Sequence, residues 1–283
     1  MKDPCYMIDF NKSIFENSRE KILICAHRGF SGADIPCNSM AAFKAAIISG
    51  ADMIELDVTK SIDGNYFVFH PGMEHAHLRK KKLISTMRSD KVKKLRFVNQ
   101  DDCPTDFGIN TLEEVFDYLR GKCYINVDKY WTDIPGITGC IRKCGVEKQV
   151  VVKTAIKDRY IKELLKYAPD LMFMPIVRHK DDITDDLIAK GINCIGAEVL
   201  FEKDDEPVAS DEYIQSMHNK GLIVFGNAIV YNKNDVIAAG HSDDNSFVIS
   251  PDYGWGWLAD KGFDIIQTDF CPLVSKYLSE RSH

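Results

Sequence analysis

The sequence predicts an α/β protein built as a (β/α)₈ barrel. It contains eight short apolar runs typical of strands, and most of them are followed by a stretch with helix-capping residues. No segment of 20–50 residues recurs, so a solenoid is not expected. The 283 residues suit one such barrel, which typically needs about 250. We therefore expect a single domain over 1–283.

The expected elements follow each other along the chain in strand–helix order. Asn38 or Ser39 can cap the first barrel helix and Gly50 ends it, while Asn110 or Thr111 can cap the next. The eight predicted barrel strands cover 22–26, 53–58, 123–127, 150–153, 171–177, 194–199, 222–227 and 265–268. The predicted helices cover 39–49, 112–120, 137–144, 159–167, 183–190, 211–219 and 234–239, with a loop around Trp255 and Trp257.

One segment interrupts this alternation. A Ser-Ile-Asp-Gly turn at 61–64 precedes an extra strand at 66–70, and residues 71–109 then continue without a clear strand–helix pattern. Connections of this length within a compact domain are usually functional. The sequence thus predicts an insertion after the second barrel strand, forming a lid at the barrel mouth. The basic run at 79–82 is typical of a solvated face.

Composition narrows the possible functions. The net charge of −6 argues against a nucleic-acid binder, for which a basic face is expected. No stretch reaches the ~18 apolar residues of a membrane span, and the first ten residues lack the apolar core of a signal peptide. The nine cysteines are odd in number, and several lie in apolar runs. We expect a cytoplasmic protein without stable membrane insertion; its oligomeric state is left open.

Chemically reactive side chains collect where the predicted strands end. In (β/α)₈ barrels the active site lies at this carboxyl end of the strands. Glu55 and Asp57 are two residues apart, so both point to the same side of their strand. Asp128 ends the next barrel strand. Buried carboxylates are costly unless they are paired or bound to a metal. The three acids therefore predict a site for one divalent cation, Mg²⁺ or Ca²⁺.

Basic and imidazole groups accompany the acids. Arg28 can bind two phosphate oxygens, and Lys129 and Lys153 can add point charges. His27 and His70 suit a general acid and a general base for phosphodiester hydrolysis, although the sequence does not decide which does which. Further candidates at strand ends, ranked lower, are Glu198, Asn227, Thr268 and Asp269. Trp255 and Trp257 could line the pocket on the side of the alcohol.

The ordered motifs resemble a known family. They comprise His-Arg-Gly at 27–29, Pro-x-Asn-Ser at 36–39, Gly-Ala-Asp-Met-Ile-Glu-Leu-Asp-Val at 50–58, Asp-Gly at 63–64 and a strand ending in His70. Together they resemble the glycerophosphodiester phosphodiesterases. The resemblance implies a barrel of the phospholipase-C-like phosphodiesterase type and release of glycerol 3-phosphate and an alcohol from a small-molecule glycerophosphodiester substrate.

The resemblance also implies residue roles. His27 and His70 would be the catalytic pair, Arg28 would bind the phosphate, and Glu55 and Asp57 would bind the metal. The family's third ligand is usually a Glu followed at short spacing by Lys, whereas this chain has Asp128 followed at once by Lys129, which indicates a variant subgroup.

Two further departures lie near these motifs. Cys37 takes the place of an acid, and Pro71 rather than Asp follows His70. Two alternatives therefore stay open. One is a related lipid or sugar-phosphate phosphodiesterase in which 71–109 selects a larger alcohol. The other is a barrel that binds phosphodiesters or sugars without turnover. The head group, the preferred ion and the choice between direct water attack and a cyclic phosphate intermediate are also left open.

Overall fold

Eight parallel strands close into a barrel in the computed structural model, which describes residues 8–179, 181–230 and 234–281. Each barrel strand pairs in parallel with the next barrel strand along the chain, and the last, Ile265–Thr268, pairs with the first, Leu23–Ala26. This confirms the predicted (β/α)₈ architecture. The expectation about a signal peptide concerned the first ten residues, of which 1–7 lie outside the described residues.

The strands are β1 Leu23–Ala26, β2 Met53–Lys60, β3 Tyr66–Val68, β4 Arg96–Val98, β5 Pro104–Gly108, β6 Tyr124–Asp128, β7 Val150–Ala155, β8 Met172–Arg178, β9 Gly196–Leu200, β10 Ile223–Asn227 and β11 Ile265–Thr268. The barrel strands pair in the order β1-β2-β6-β7-β8-β9-β10-β11 and return to β1. Among the described residues, three further strands lie outside this circuit: β3 pairs antiparallel with β2, and β4 and β5 form a separate hairpin.

The helices begin at caps that the sequence supplies. Ser39 caps α2 by accepting the Ala42 N–H, and Thr111 caps α5 through a capping box with Glu114. The helices are α1 Ile14–Glu20, α2 Met40–Ile48, α3 Glu74–Leu78, α4 Ser89–Val92, α5 Leu112–Leu119, α6 Ile134–Cys144, α7 Asp158–Tyr167, α8 Thr184–Ala189, α9 Asp211–Asn219, α10 Asp243–Val248, α11 Trp257–Lys261 and α12 Cys271–Arg281. Within the described residues, none of these helices combines the length and apolar character needed to cross a bilayer.

Alternating side chains along the strands divide the barrel interior into two layers. At the amino-terminal end the inward positions are apolar and form one buried cluster that includes Leu23, Met53 and Ile265. Two and four residues farther along the strands, the inward-facing positions carry polar side chains; on β2, for example, Met53 is followed by Glu55 and Asp57. The barrel thus carries its buried charge at the carboxyl ends of the strands.

The segment 71–109 packs around a small core of its own. Buried Leu78, Ile84 and Phe97 belong to a cluster that also contains Phe67 and Phe69. The hairpin connection reaches back toward the barrel, where the Asn99 side-chain amide donates to Asp34 Oδ1 at 2.6 Å. This places the insertion beside the loop that follows β1.

The connection between β10 and β11 differs from the prediction. The expected helix over 234–239 is wrong, because the backbone of Ala238 instead forms a parallel bridge with Phe201. A helix forms later, at α10, where the Ser242 side chain accepts the Asn245 N–H. The expected loop around the tryptophans is also wrong, since a π-helical turn at Asp252–Gly256 runs directly into α11.

Candidate active site

The turn after β1 positions the first two functional side chains. His27 extends the β1 ladder by donating its backbone N–H to Thr268 O at 3.1 Å. Arg28 then adopts a left-handed conformation with φ of 54°. In this conformation its backbone N–H donates to Glu55 Oε2 at 3.0 Å, and its guanidinium Nε lies 2.9 Å from Asp57 Oδ2. The tight turn therefore joins the β1 loop to the acids of β2.

The next residue makes this turn possible. Gly29 has φ of 82°, and a Cβ added there would lie 2.9 Å from Ala42 Cβ and 2.8 Å from the Ala42 carbonyl carbon. We expect Gly29→Ala to lower the free energy of unfolding by at least about 1–3 kcal/mol, because backbone strain and this overlap add. Urea denaturation measures the change.

Gly64→Ala is the matched control for Gly29→Ala. Gly64 also has positive φ, 88°, but an added Cβ would meet nothing within 4 Å. Equal destabilisation by the two substitutions would contradict a special role for close packing at Gly29.

Three carboxylates meet at the ends of β2 and β6. Glu55 and Asp57 alternate along β2, and Asp57 pairs in register with Asp128 of the parallel neighbour β6. One oxygen from each of the three lies within 4.8 Å of the others. We call Glu55, Asp57 and Asp128 the acid trio. The structure thus brings together the three acids that the sequence predicts.

The acid trio has the properties of a cation site. The pKa of Glu55 is raised, mainly by burial. The negative charges of Asp57 and Asp128 raise it further, as expected for neighbouring groups of like charge. Asp57 Oδ1 is buried and accepts no hydrogen bond from the described residues, since Lys129 Nζ at 3.6 Å and His70 Nε2 at 3.9 Å lie too far away. Oxygen ligands of this kind fit a hard divalent cation.

Cationic side chains contact the acid trio directly. Lys129 lies just past β6 in a left-handed conformation, and its Nζ lies 2.6 Å from Asp128 Oδ2. Although burial raises the pKa of Asp128, the charges of Lys153 and Lys129 outweigh it and lower that pKa. Arg28 and Lys129 therefore lie where the sequence predicts phosphate-binding charges, on either side of Asp57.

The two predicted imidazoles flank the same acids in different environments. Burial opposes protonation of His27, but its hydrogen bond to Asp269 and the Glu55 charge outweigh burial and raise its pKa. The His27 Nδ1 to Asp269 Oδ1 distance is 2.8 Å. His70 follows β3, and burial together with the positive charges of Arg28 and Lys129 lowers its pKa. The structure therefore brings the pair to one site and distinguishes its members.

Next to the acid trio, where the Lys153 charge acts on Glu55 and Asp128, buried polar side chains form a network inside the barrel. Lys153 Nζ lies 2.8 Å from Glu198 Oε2, and Glu198 Oε1 accepts a hydrogen bond from the Asn227 side-chain amide at 2.9 Å. Gln267 Nε2 in turn donates to Asn227 Oδ1 at 2.8 Å. Lys153, Glu198 and Asn227 thus interact with one another within the barrel, and their predicted substrate contacts stay predictions.

The buried Lys153–Glu198 pair yields a stability prediction. Lys153→Met leaves the Glu198 carboxylate without its cation, so we expect the free energy of unfolding to fall by about 3–5 kcal/mol. The double variant Lys153→Met/Glu198→Gln removes both charges and should recover much of this loss. Denaturant titration of the two variants measures the difference. A double variant as unstable as Lys153→Met would show that the pairing is not the cause.

The two tryptophans lie in packed positions. Trp255 is 3% exposed, and its indole Nε1–H donates to Asp243 Oδ1 at 2.7 Å. Trp257 stacks on His241 with ring centroids 3.9 Å apart. The contacts of both rings are with the β10–β11 connection and its neighbours, and a role in binding the alcohol stays a prediction.

Sequence analysis missed two contributors to the site, Asn38 and Asp243, and gave a third, Asp269, only as a lower-ranked residue at a strand end. Asn38 does not cap α2 but braces Asp57, donating from its amide to Asp57 Oδ2 at 2.8 Å and accepting the Asp57 backbone N–H at 3.2 Å. Its φ of 56° is a conformation that Asn tolerates, and the only sequence signal was an Asn in the turn at 36–39. Asp269 directly follows β11 and pairs with His27. Asp243 supports Asp269, and no sequence signal marks it.

Comparisons with known proteins agree with this architecture. A family model, DUF4996, described as a domain of unknown function, matches residues 173–278. A glycerophosphodiester phosphodiesterase of Caldanaerobacter subterraneus is 30% identical over 165 residues. That alignment covers 53% of this chain and 65% of the relative, so it spans just under two-thirds of the relative's length.

Solved structures match the fold over nearly the whole chain. A glycerophosphoryl diester phosphodiesterase of Parabacteroides distasonis superposes with a TM-score of 0.74 at 20% identity, covering 95% of this chain and 93% of its own. An Oleispira antarctica phosphodiesterase, solved with the product sn-glycerol-3-phosphate, gives a TM-score of 0.67 at 14% identity, covering 93% and 99%. The chain is thus related to the glycerophosphodiester phosphodiesterases in sequence and has their barrel fold, which confirms the resemblance seen in its motifs.

Proposed function

We propose that this protein hydrolyses glycerophosphodiesters to glycerol 3-phosphate and an alcohol. The observation that carries the proposal is the acid trio, whose oxygens lie within 4.8 Å of one another beside Arg28, Lys129 and two histidines. The named relative and the product-bound structure of the same fold support this substrate class over other phosphodiesters.

Within this proposal, Glu55, Asp57 and Asp128 hold one divalent cation, Mg²⁺ or Ca²⁺. When bound, such a cation would supply charge to stabilise the phosphate oxygens as negative charge builds on them. Arg28 orients the phosphate with its planar guanidinium, and Lys129 adds a second positive charge from the opposite side of Asp57. Lys153 forms an ion pair with Glu198, so it contributes to the charge balance next to the site.

The environments of the two histidines support an assignment of their roles. His27, whose pKa is raised, is the general acid that gives a proton to the leaving alkoxide. His70, whose pKa is lowered, is neutral at pH 7 and is the general base that removes a proton from the attacking oxygen. Hydrolysis in ¹⁸O-labelled water distinguishes direct attack from a cyclic phosphate, because direct attack puts the label in the first product.

A panel of substrates tests the proposal. Glycerophosphocholine, glycerophosphoethanolamine, glycerophosphoinositol and lysophospholipids are incubated with metal-loaded protein, and ³¹P NMR follows glycerol 3-phosphate. We expect its resonance with at least one glycerophosphodiester. Turnover confined to lysophospholipids or sugar phosphodiesters would instead favour the related phosphodiesterase with a larger alcohol.

A second candidate function is phosphodiester binding without turnover. One observation favours it: Lys129 lies 2.6 Å from Asp128 and 3.6 Å from Asp57, so its ammonium already partly neutralises two acids of the trio. Metal-loaded protein that binds glycerophosphocholine calorimetrically but turns over no member of the panel would establish this candidate.

A further inference from the structure

A buried carboxylate outside the acid trio collects three hydrogen-bond donors. Asp243 begins α10 and is 2% exposed. Its Oδ1 accepts the Thr268 hydroxyl and the Trp255 indole N–H, both at 2.7 Å, and its Oδ2 accepts the Asp269 backbone N–H at 2.9 Å. Burial raises the pKa of Asp243 to about 7, outweighing the three donors, which lower it.

One of these donors belongs to Asp269, the residue that pairs with His27. The Asp269 carboxylate is half exposed, and contact with solvent does not fix the orientation of its side chain. Its backbone is fixed on both sides, because Asp243 accepts its N–H and the Thr268 hydroxyl accepts the next N–H, from Phe270, at 2.9 Å. The held backbone aims the Asp269 carboxylate at His27 Nδ1, 2.8 Å away.

We propose that Asp243 is a positioning residue that acts through Asp269 to hold the His27 imidazole in its catalytic orientation and tautomer. With Nδ1–H donated to Asp269, Nε2 is the nitrogen left for the substrate. The charged groups that act on the ring are Asp269, Glu55 and Arg28. Trp255 contributes as the indole donor that, with Thr268, fixes the Asp243 carboxylate. The inference rests on the proposed function, in which His27 is the general acid.

An NMR titration of His27 tests the inference without substrate. The imidazole pKa and tautomer are measured in the full-length protein as wild type, Asp269→Asn, Asp243→Asn and Trp255→Phe. We expect Asp269→Asn to lower the His27 pKa most, Asp243→Asn to lower it less, and Trp255→Phe to lower it least. Trp255→Phe keeps an aromatic ring in the same packing and so supplies a variant expected to fold if Asp243→Asn does not.

Asp264→Asn is the matched control. Asp264 is equally buried and accepts the Val224 backbone N–H at 2.7 Å, but it precedes β11 and so lies at the opposite end of the barrel. Its substitution should reduce stability while leaving the His27 titration unchanged. An effect of Asp264→Asn on His27 equal to that of Asp243→Asn would overturn the proposal, because general destabilisation would then explain both.

Kinetics supply the second readout. We expect Asp243→Asn to lower kcat about tenfold with little change in KM, and to move the alkaline limb of the pH profile to lower pH. In an Asp269→Asn background the same substitution should have no further effect, because it acts through Asp269. Equal losses of kcat in both backgrounds, or a wild-type His27 titration in Asp243→Asn and Trp255→Phe, would overturn the proposal. Inactivity of the wild type on every phosphodiester would instead overturn the proposed function alone.

Discussion

His27→Ala and His70→Ala should each lower kcat/KM for glycerophosphodiesters by about 10²–10⁴-fold, the usual contribution of general acid–base catalysis. The two imidazoles flank the acid trio, with His70 Nε2 3.9 Å from Asp57 and His27 bound to Asp269. Neither substitution removes a predicted metal ligand, so metal binding measured by calorimetry should persist. Steady-state assays at several pH values measure the loss.

The control for these variants is His75→Ala. His75 is exposed on α3, in the insertion, and its loss should leave the rate unchanged.

The pH profiles test which histidine is the general acid. Because the acid must be protonated and the pKa of His27 is raised, activity should fall at a higher pH than an unperturbed histidine would give. A His27→Ala variant that keeps this alkaline limb would contradict the assignment of His27 as the acid.

Chelation should abolish turnover. EDTA removes the divalent cation, and the acid trio then has no ion to present to the phosphate; Mg²⁺ or Ca²⁺ should restore activity. Asp57→Asn should lower metal affinity at least about 10–100-fold, since Asp57 is the central acid, flanked by Arg28 and Lys129. Calorimetric titration with each ion measures affinity, and activity assays follow the restoration.

Asp133→Asn is the control for the metal site. Asp133 is a partly exposed carboxylate near the end of β6 that binds Lys60 and Tyr66, and asparagine can still cap α6 there. Metal affinity should not change in this variant. Undiminished hydrolysis after exhaustive chelation would show that Arg28 and Lys129 stabilise the phosphate without a metal ion. It would contradict a role for the divalent cation in catalysis.

Sequence patterns predicted the barrel because each barrel strand is a compact apolar run that ends at polar residues. The acid trio was predictable for the same reason, since Glu55 and Asp57 alternate on one strand and Asp128 ends its neighbour. The histidine pair also followed from position and motif order. These features depend on local periodicity and on the rule that barrel sites lie at strand ends.

The contacts that the sequence did not predict join residues far apart in the chain. His27 and Asp269 are 242 positions apart, and their pairing requires β1 to lie beside β11. Asp243 lies on a short helix, whereas the apolar run at 234–239 is not helical and its Ala238 pairs with Phe201, a residue distant in sequence. Trp255 likewise finds its acceptor, Asp243, through tertiary packing. No local pattern encodes such partners.

The most direct test is a crystal structure of the wild-type protein soaked with glycerol 3-phosphate and Mg²⁺ or Ca²⁺. The account predicts one ion bound by Glu55, Asp57 and Asp128, with the phosphate between that ion and Arg28 and with both His27 and His70 facing it. An ion bound elsewhere, or a phosphate that contacts neither histidine, would contradict it.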